Sequence, residues 1–168
     1  MGGIPRNRGA PEATSRPDGH VGAHRSEVGA PYARRVDTEL IDLVTGSRRV
    51  TDLSGHARRF VRDRGDGLLN VFVPHATAGL ALFELGSGSD DDLDEVLDRL
   101  LPRDDRYRHR HGSPGHGADH LVPVLVSPSV TLPVAGGELL LGTWQSLALV
   151  DTNVDNPRRQ VRLTFVPG

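Results

Sequence analysis

The stretch Val130-Thr131-Leu132-Pro133-Val134-Ala135-Gly136-Gly137-Glu138-Leu139-Leu140-Leu141-Gly142-Thr143-Trp144-Gln145 decides the fold. Val130, Leu132 and Val134 alternate with Thr131, Pro133 and Ala135, the period of a strand with one face on a core. Gly136-Gly137 then supplies the positive φ angles of a tight hairpin. The leucines that follow predict a buried strand, which runs into Gly142 and the single tryptophan of the chain. Glycine weakens a strand, and the Trp144 indole N–H and the Gln145 amide need partners if they are covered. Residues of this kind at a strand end either fill a core or shape a pocket.

The same patterning extends in both directions. Ser146-Leu147-Ala148-Leu149-Val150 and Val161-Arg162-Leu163-Thr164-Phe165 are strand-like, with Asp155-Asn156-Pro157-Arg158-Arg159 as the turn between them. Upstream, residues 36–44 interleave apolar side chains with Asp and Glu, predicting a strand with one wet face. Residues 68–73 have the apolar continuity of a strand covered on both faces, and Leu80-Ala81-Leu82-Phe83 delivers Glu84 to the end of another. Thr51-Asp52 offers an N-cap to a helix carrying Leu53, Ala57, Phe60 and Val61, which Gly65 stops. His56 lies near that apolar stripe and reads as a boundary residue rather than a ligand.

Ser89 followed by Asp90, Asp91 and Asp92 opens a second helix, whose Leu93, Val96, Leu97, Leu100 and Leu101 share one face before Pro102 closes it. Acidic residues in a first turn suit the helix dipole and need no metal to explain them. Pro123 argues against a central strand in residues 121–126. About seven strands with two or three helices, and no β-α-β alternation, predict an α+β fold with antiparallel sheets.

At 168 residues, 36% of them hydrophobic, the chain suits one domain with its own core. Residues 1–34, rich in Gly, Pro, Arg and Ser and without the apolar run of a secretory signal, are expected to be a flexible tail. His20 and His24 fall there, and the domain is expected over residues 35–168. With 20 basic against 22 acidic residues the net charge is -2, which gives no electrostatic case for nucleic acid or an acidic membrane as partner. No apolar run approaches the length of a membrane span, so the protein is expected to be soluble and cytoplasmic. The absence of cysteine removes thiolate chemistry and Cys-ligated metals. The absence of lysine removes Schiff bases and leaves phosphate recognition to Arg, His, backbone N–H groups or a metal.

Eight histidines remain as the titratable and metal-binding resource. Four of them, His109, His111, His116 and His120, lie in residues 103–120, a polar segment with no hydrophobic period. Long loops in compact domains are functional or disordered, and imidazole donors suit zinc and other borderline metals. The spacing alone matches no helical ligand pair on a defined element, so a functional site and a flexible His-rich loop both fit it.

Taken together, the motifs resemble a known family. His75-Ala76-Thr77-Ala78 after a strand, Glu84, Tyr107-Arg108-His109, His120, the string Gly137-x-Leu139-x-Leu141-Gly142-Thr143-Trp144-Gln145 and Pro157-Arg158-Arg159 make the chain similar, from about residue 35 to the C-terminus, to the YjbQ family, also called secondary thiamine-phosphate synthases. The resemblance implies a trimer of two-sheet sandwiches with helical insertions and a cleft of His and acidic residues near the subunit contacts. It also implies a reaction that joins a hydroxymethylpyrimidine diphosphate to a thiazole phosphate and releases pyrophosphate.

Such chemistry needs charge on the departing pyrophosphate and a water-poor pocket. Under the resemblance His75, His109 and His120 hold a divalent metal, zinc or magnesium, and with Glu84 form the catalytic set. Thr77, Trp144, Gln145, Arg158 and Arg159 bind the small phosphorylated substrate. The chain departs from the family at Ala76, where Thr is usual, at Phe83, where Asn is usual, in a shorter Gly/Ser loop after Glu84 that drops an Asp, and at His116, where Asn is usual. Losing a hydroxyl and an acid keeps open a second reading, a non-catalytic trimer that binds a metal or a phosphorylated ligand in the same cleft. A third reading, a purely structural or partner-binding protein, is disfavoured because core packing does not demand imidazole at three separated positions.

Overall fold

The computed structural model describes residues 36–104 and 106–168. The expected tail lies outside the described residues, and Arg34–Gly168 forms one compact unit. In chain order the elements are β1 (Asp37–Val44), β2 (Val50–Asp52), α1 (Ser54–Val61), β3 (Gly67–Phe72), β4 (Ala78–Phe83), α2 (Ser89–Leu100), α3 (His116–Asp119), α4 (Val122–Leu125), β5 (Ser129–Ala135), β6 (Glu138–Leu139), β7 (Ser146–Asp151) and β8 (Arg158–Pro167). A five-stranded sheet runs β1-β8-β3-β5-β6, and a three-stranded sheet runs β2-β7-β4. Every pairing is antiparallel, so the α+β expectation holds. Among the described residues no helix is long and apolar enough to cross a membrane.

The core forms where the two sheets and α1 meet. Ile41, Leu69, Val71, Leu132, Val134, Val161, Leu163 and Phe165 from the larger sheet join Leu80, Leu147 and Leu149 from the smaller one and Leu53, Ala57, Phe60 and Val61 from the α1 region. Period-2 alternation places these side chains on inner faces, and removing them from water is what holds the layers together. The α1 start differs by one step from the sequence expectation. Asp52 belongs to β2, yet its Oδ1 still accepts from the Ser54 N–H at 2.7 Å, so the capping chemistry survives one residue earlier than usual.

Three other expectations are corrected. Residues 68–73 are not covered on both faces: Leu68 and Phe72 point outward from the larger sheet, whose outer side nothing in the described residues covers. The strand covered on both faces is β7, where Leu147, Ala148, Leu149 and Val150 are all buried. The leucine run gives only the two-residue β6, with Leu139 and Leu141 packed at the core edge and Leu140 exposed. Trp144 is 72% exposed, and Gln145 closes a local turn, its Oε1 accepting from the Gly142 N–H at 2.9 Å. Finally, α3 and α4 are single turns in segments without helical period. Pro123 sits in the first turn of α4, where its missing N–H costs nothing.

Close approach at Gly79 fixes β4 against the chain that follows α4. A Cβ there would run into the Val126 carbonyl, and the next N–H, that of Leu80, donates to the Ser127 oxygen at 2.7 Å. Gly79→Ala is expected to cost about 1–3 kcal/mol in urea denaturation. Gly55→Ala, on α1 where a new Cβ meets only the Arg59 side chain at 3.6 Å, is expected to stabilise by about 0.5–1 kcal/mol.

Candidate metal centre

Residues 103, 104 and 106–120 have no hydrophobic period, and ion pairs and closely packed glycines help to hold them. Arg103 donates through Nη1 to the carboxylate of Asp119, which is fully buried, and to the Thr152 carbonyl at 3.1 Å. The Thr152 hydroxyl donates to the same Asp119 Oδ1 at 2.6 Å, tying the segment to the end of β7. Gly117 lies so close to Tyr107 and His109 that a Cβ would come within 2.6 Å of Tyr107 Cβ and 2.8 Å of the His109 carbonyl oxygen. Gly112, at φ +84°, would bring one within 2.8 Å of the His116 ring.

This folding gathers His109, His111, His116 and His120. One ring nitrogen from each lies within 4.8 Å of the others. The His116 and His120 Nε2 atoms face each other at 3.0 Å, so in this arrangement one of them carries a shared proton. His109 faces solvent, and desolvation by the crowded rings, then the charges of His111 and His116, hold it below the ordinary imidazole pKa. Burial and the rings of His109, His116 and His111 do the same for His120, against the opposing charge of Asp119. The neutral, electron-pair-donating form of His109 and His120 is therefore favoured.

The donor set fits a cation. Two nitrogens of a tetrahedral zinc site sit about 3.3 Å apart, given Zn–N bonds of about 2.0–2.1 Å. His116 adds a further sign: its buried Nδ1 has no aligned hydrogen-bond partner, while Asp155 Oδ2 lies 3.1 Å away, off the N–H line. A cation on Nε2 would fix the proton on Nδ1, and Asp155 is the carboxylate placed to take it. Asp155 itself accepts from the Ser113 N–H at 3.1 Å, and that bond is the first cause holding its carboxyl below the usual range.

Other residues expected at one site stand elsewhere. His75 lies in the β3–β4 connection and is not part of the four-imidazole group. Its Nδ1 accepts from the Thr77 N–H at 3.3 Å and lies 2.9 Å from the Thr77 hydroxyl. A backbone N–H can only donate, so the neutral ring carries its proton on Nε2. Thr77 is buried, 3.4 Å from Asp151 Oδ1. Asp151 Oδ2 lies 2.6 Å from Arg159 Nε, yet the geometry misses hydrogen-bond alignment, so this buried pair is held by charge. Arg159 also donates to the Asn156 and Arg158 carbonyls and is 2% exposed; Arg158, Glu84, Gln145 and Trp144 are exposed.

His109 and His120 thus meet, and the partners that complete their cluster are His111 and His116. The signal for the latter was in the sequence: His116-x-x-x-His120 is an i, i+4 pair, and one turn of helix, α3, puts both rings on one side. Only the absence of a hydrophobic period hid that turn. Arg103, Asp119, Thr152 and Asp155 carried no local signal, since their contacts join separate segments.

Burial and the Arg159 charge lower the His75 pKa from 6.5, with Asp151 opposing. The unfolded ring then protonates first, so this contribution to stability is complete above pH 6.5 and is lost as pH falls through the folded value. Urea titrations between neutral pH and about pH 5 should show a shallower acid loss for His75→Gln than for the native chain. Equal slopes would remove His75 from the acid response.

Comparison with known proteins agrees with the fold. UPF0047 protein Rv2556c of Mycobacterium tuberculosis is 64% identical over 133 residues, covering 79% of this chain and 100% of that protein. A UPF0047 protein of Archaeoglobus fulgidus is 33% identical over 122 residues, 72% of this chain and 95% of its own length. The crystal structure of hypothetical protein APE1520 from Aeropyrum pernix superposes with a TM-score of 0.70 at 30% identity, over 79% of this chain and 99% of that one. A YbjQ-like protein of unknown function from Sulfolobus solfataricus shares the fold at TM-score 0.74 and 20% identity, over 80% and 99%. Residues 39–168 match the family model described as UPF0047 protein YjbQ-like, and the chain belongs to that family.

Proposed function

We propose that His109, His111, His116 and His120 bind one divalent transition-type cation, and that the protein uses it on a small phosphorylated molecule. The observation that carries this reading is the convergence of four imidazole nitrogens within 4.8 Å. Neutral nitrogen donors suit zinc and its neighbours, whereas magnesium demands oxygen ligands, so of the two metals expected zinc is favoured. Bound there, the cation would supply charge stabilisation to a phosphate oxygen. The reaction proposed in detail is the one the family resemblance implies, the joining of a pyrimidine methyl diphosphate to a thiazole phosphate. In it Arg158 is the better phosphate contact of the arginine pair, because Arg159 is committed to Asp151. His75 offers its Nε2–H for proton transfer, with Thr77 holding its other nitrogen.

A second reading, a metal-binding protein without turnover, is favoured by the number of imidazoles. Four of them can complete a tetrahedral shell, as structural zinc sites do, where catalytic sites keep a position open. In either case we propose a homotrimer, an assembly that would cover apolar surface such as Trp144, Leu140 and Val154.

Protein made without a His tag should carry about one equivalent of zinc per chain by elemental analysis, and His116→Ala/His120→Ala should lose it with the circular dichroism spectrum unchanged. Full metal content in that double variant would overturn the proposal. Pyrophosphate release from the pyrimidine diphosphate and thiazole phosphate by the zinc-loaded chain then separates enzyme from binder. Asp155→Asn should weaken zinc binding by about 10–100-fold without removing a ligand. Competition with a chromogenic chelator measures it.

A further inference from the structure

Among the described residues the carboxylates around the imidazole loop are engaged, and two of its arginines, Arg108 and Arg110, stand outside the ion pairs; only Arg110 borders a cavity. Asp104 holds Arg106 in a fork, Nε to Oδ1 and Nη2 to Oδ2 both at 2.7 Å. Asp119 is committed to Arg103 and Thr152, and Asp155 to the Ser113 N–H beside His116. Arg110 has no carboxylate within salt-bridge distance among the described residues. It lines a cavity of about 240 Å³ together with Tyr107, His109, His111 and His116.

The walls of that cavity are set before any ligand arrives. Gly112 and Gly117 allow approaches to His116, Tyr107 and His109 that any Cβ would block. Tyr107 brings a phenol, a group able to donate an O–H, to the lining of the same cavity. Asp104 also lines this cavity, but its charge is met by the Arg106 fork, which leaves Arg110 unopposed; in the larger cavity of about 510 Å³ at the end of α1, Arg58 and Arg62 stand with Asp63 and Glu138 and no sign prevails.

We infer that the cavity beside the imidazoles is a phosphate subsite, with Arg110 as its anchor and the terminal phosphate of a small molecule as its occupant. The inference rests on the metal reading above, because three of the proposed ligands form one wall. The volume, that of about eight waters at roughly 30 Å³ each, gives room for a phosphate group and its first substituent. Charge selects it. A dication and a guanidinium together favour a dianion over a monoanionic carboxylate, and guanidinium matches phosphate oxygens two at a time.

The test uses the full chain loaded with zinc and titrated calorimetrically with inorganic phosphate, with acetate as the competing class. Chelator competition is run first, on every variant. Arg110→Gln should keep its zinc affinity and bind phosphate at least about tenfold more weakly, while Arg108→Gln, an exposed neighbour that does not line the cavity, should match the native chain. Equal phosphate affinity in Arg110→Gln and native protein would overturn the anchor and leave the metal reading standing. Acetate bound as tightly as phosphate would overturn the choice of anion. Failure of the native chain to hold zinc would remove the metal reading and this inference together, and the chelator step reports that before phosphate is added.

Discussion

The buried ion pair between Arg103 and Asp119 turns a histidine-rich segment into a site. Asp119 is fully covered and Arg103 mostly so, an arrangement that costs desolvation and survives because Thr152 adds a hydroxyl and a carbonyl to the same two groups. Removing Arg103 would leave the buried Asp119 carboxylate without its counter-charge, a cost that ties the segment to the end of β7. Asp119 also sits on the single turn that carries His116 and His120. Fixing its carboxylate therefore fixes both rings.

The end of β7 serves two polar clusters at once. Asp151 engages Thr77 and Arg159, whereas its neighbour Thr152 engages Asp119 and Arg103. Successive side chains on an extended chain point to opposite sides, so adjacent residues feed different neighbourhoods. This is the physical reason that His75, tied to Thr77, falls with one cluster while His109 and His120 fall with the other. His75 therefore joins the Asp151 cluster and stands outside the group of four imidazoles.

Much of the fold was legible because strands announce themselves by period. The alternation in β5 and the apolar run of β7 needed no tertiary knowledge, and the heptad-like leucines of α2 marked a helix whose capping region includes an Asp90 Oδ1 accepting from the Gly86 N–H at 2.7 Å. Misreadings fell where burial is decided by partners far along the chain. Leu68 and Phe72 carry the same apolar character as Leu147 and Leu149, and only the layer order says which strand is covered twice. The imidazole loop was visible as composition, but Arg103–Asp119 and Asp155–His116 join residues with no shared period or motif.

Exposure within the four-imidazole group argues about what such a centre is for. His116 is buried and His120 half-buried, while His109 and His111 face solvent. The covered pair is held by α3, by Asp119 between them in sequence and by Asp155 nearby, so its nitrogens are preorganised. Ordering the exposed pair costs side-chain entropy, and water competes for both rings. A cation anchored on the inner pair would thus hold its outer ligands less firmly, and both of those border the cavity with Arg110, as His116 of the inner pair does. Sealed structural sites bury all their donors alike. A graded shell, firm inside and yielding toward the cavity that Arg110 borders, suits ligand exchange, and that weighs toward a centre that takes up an anion rather than one that only staples the loop.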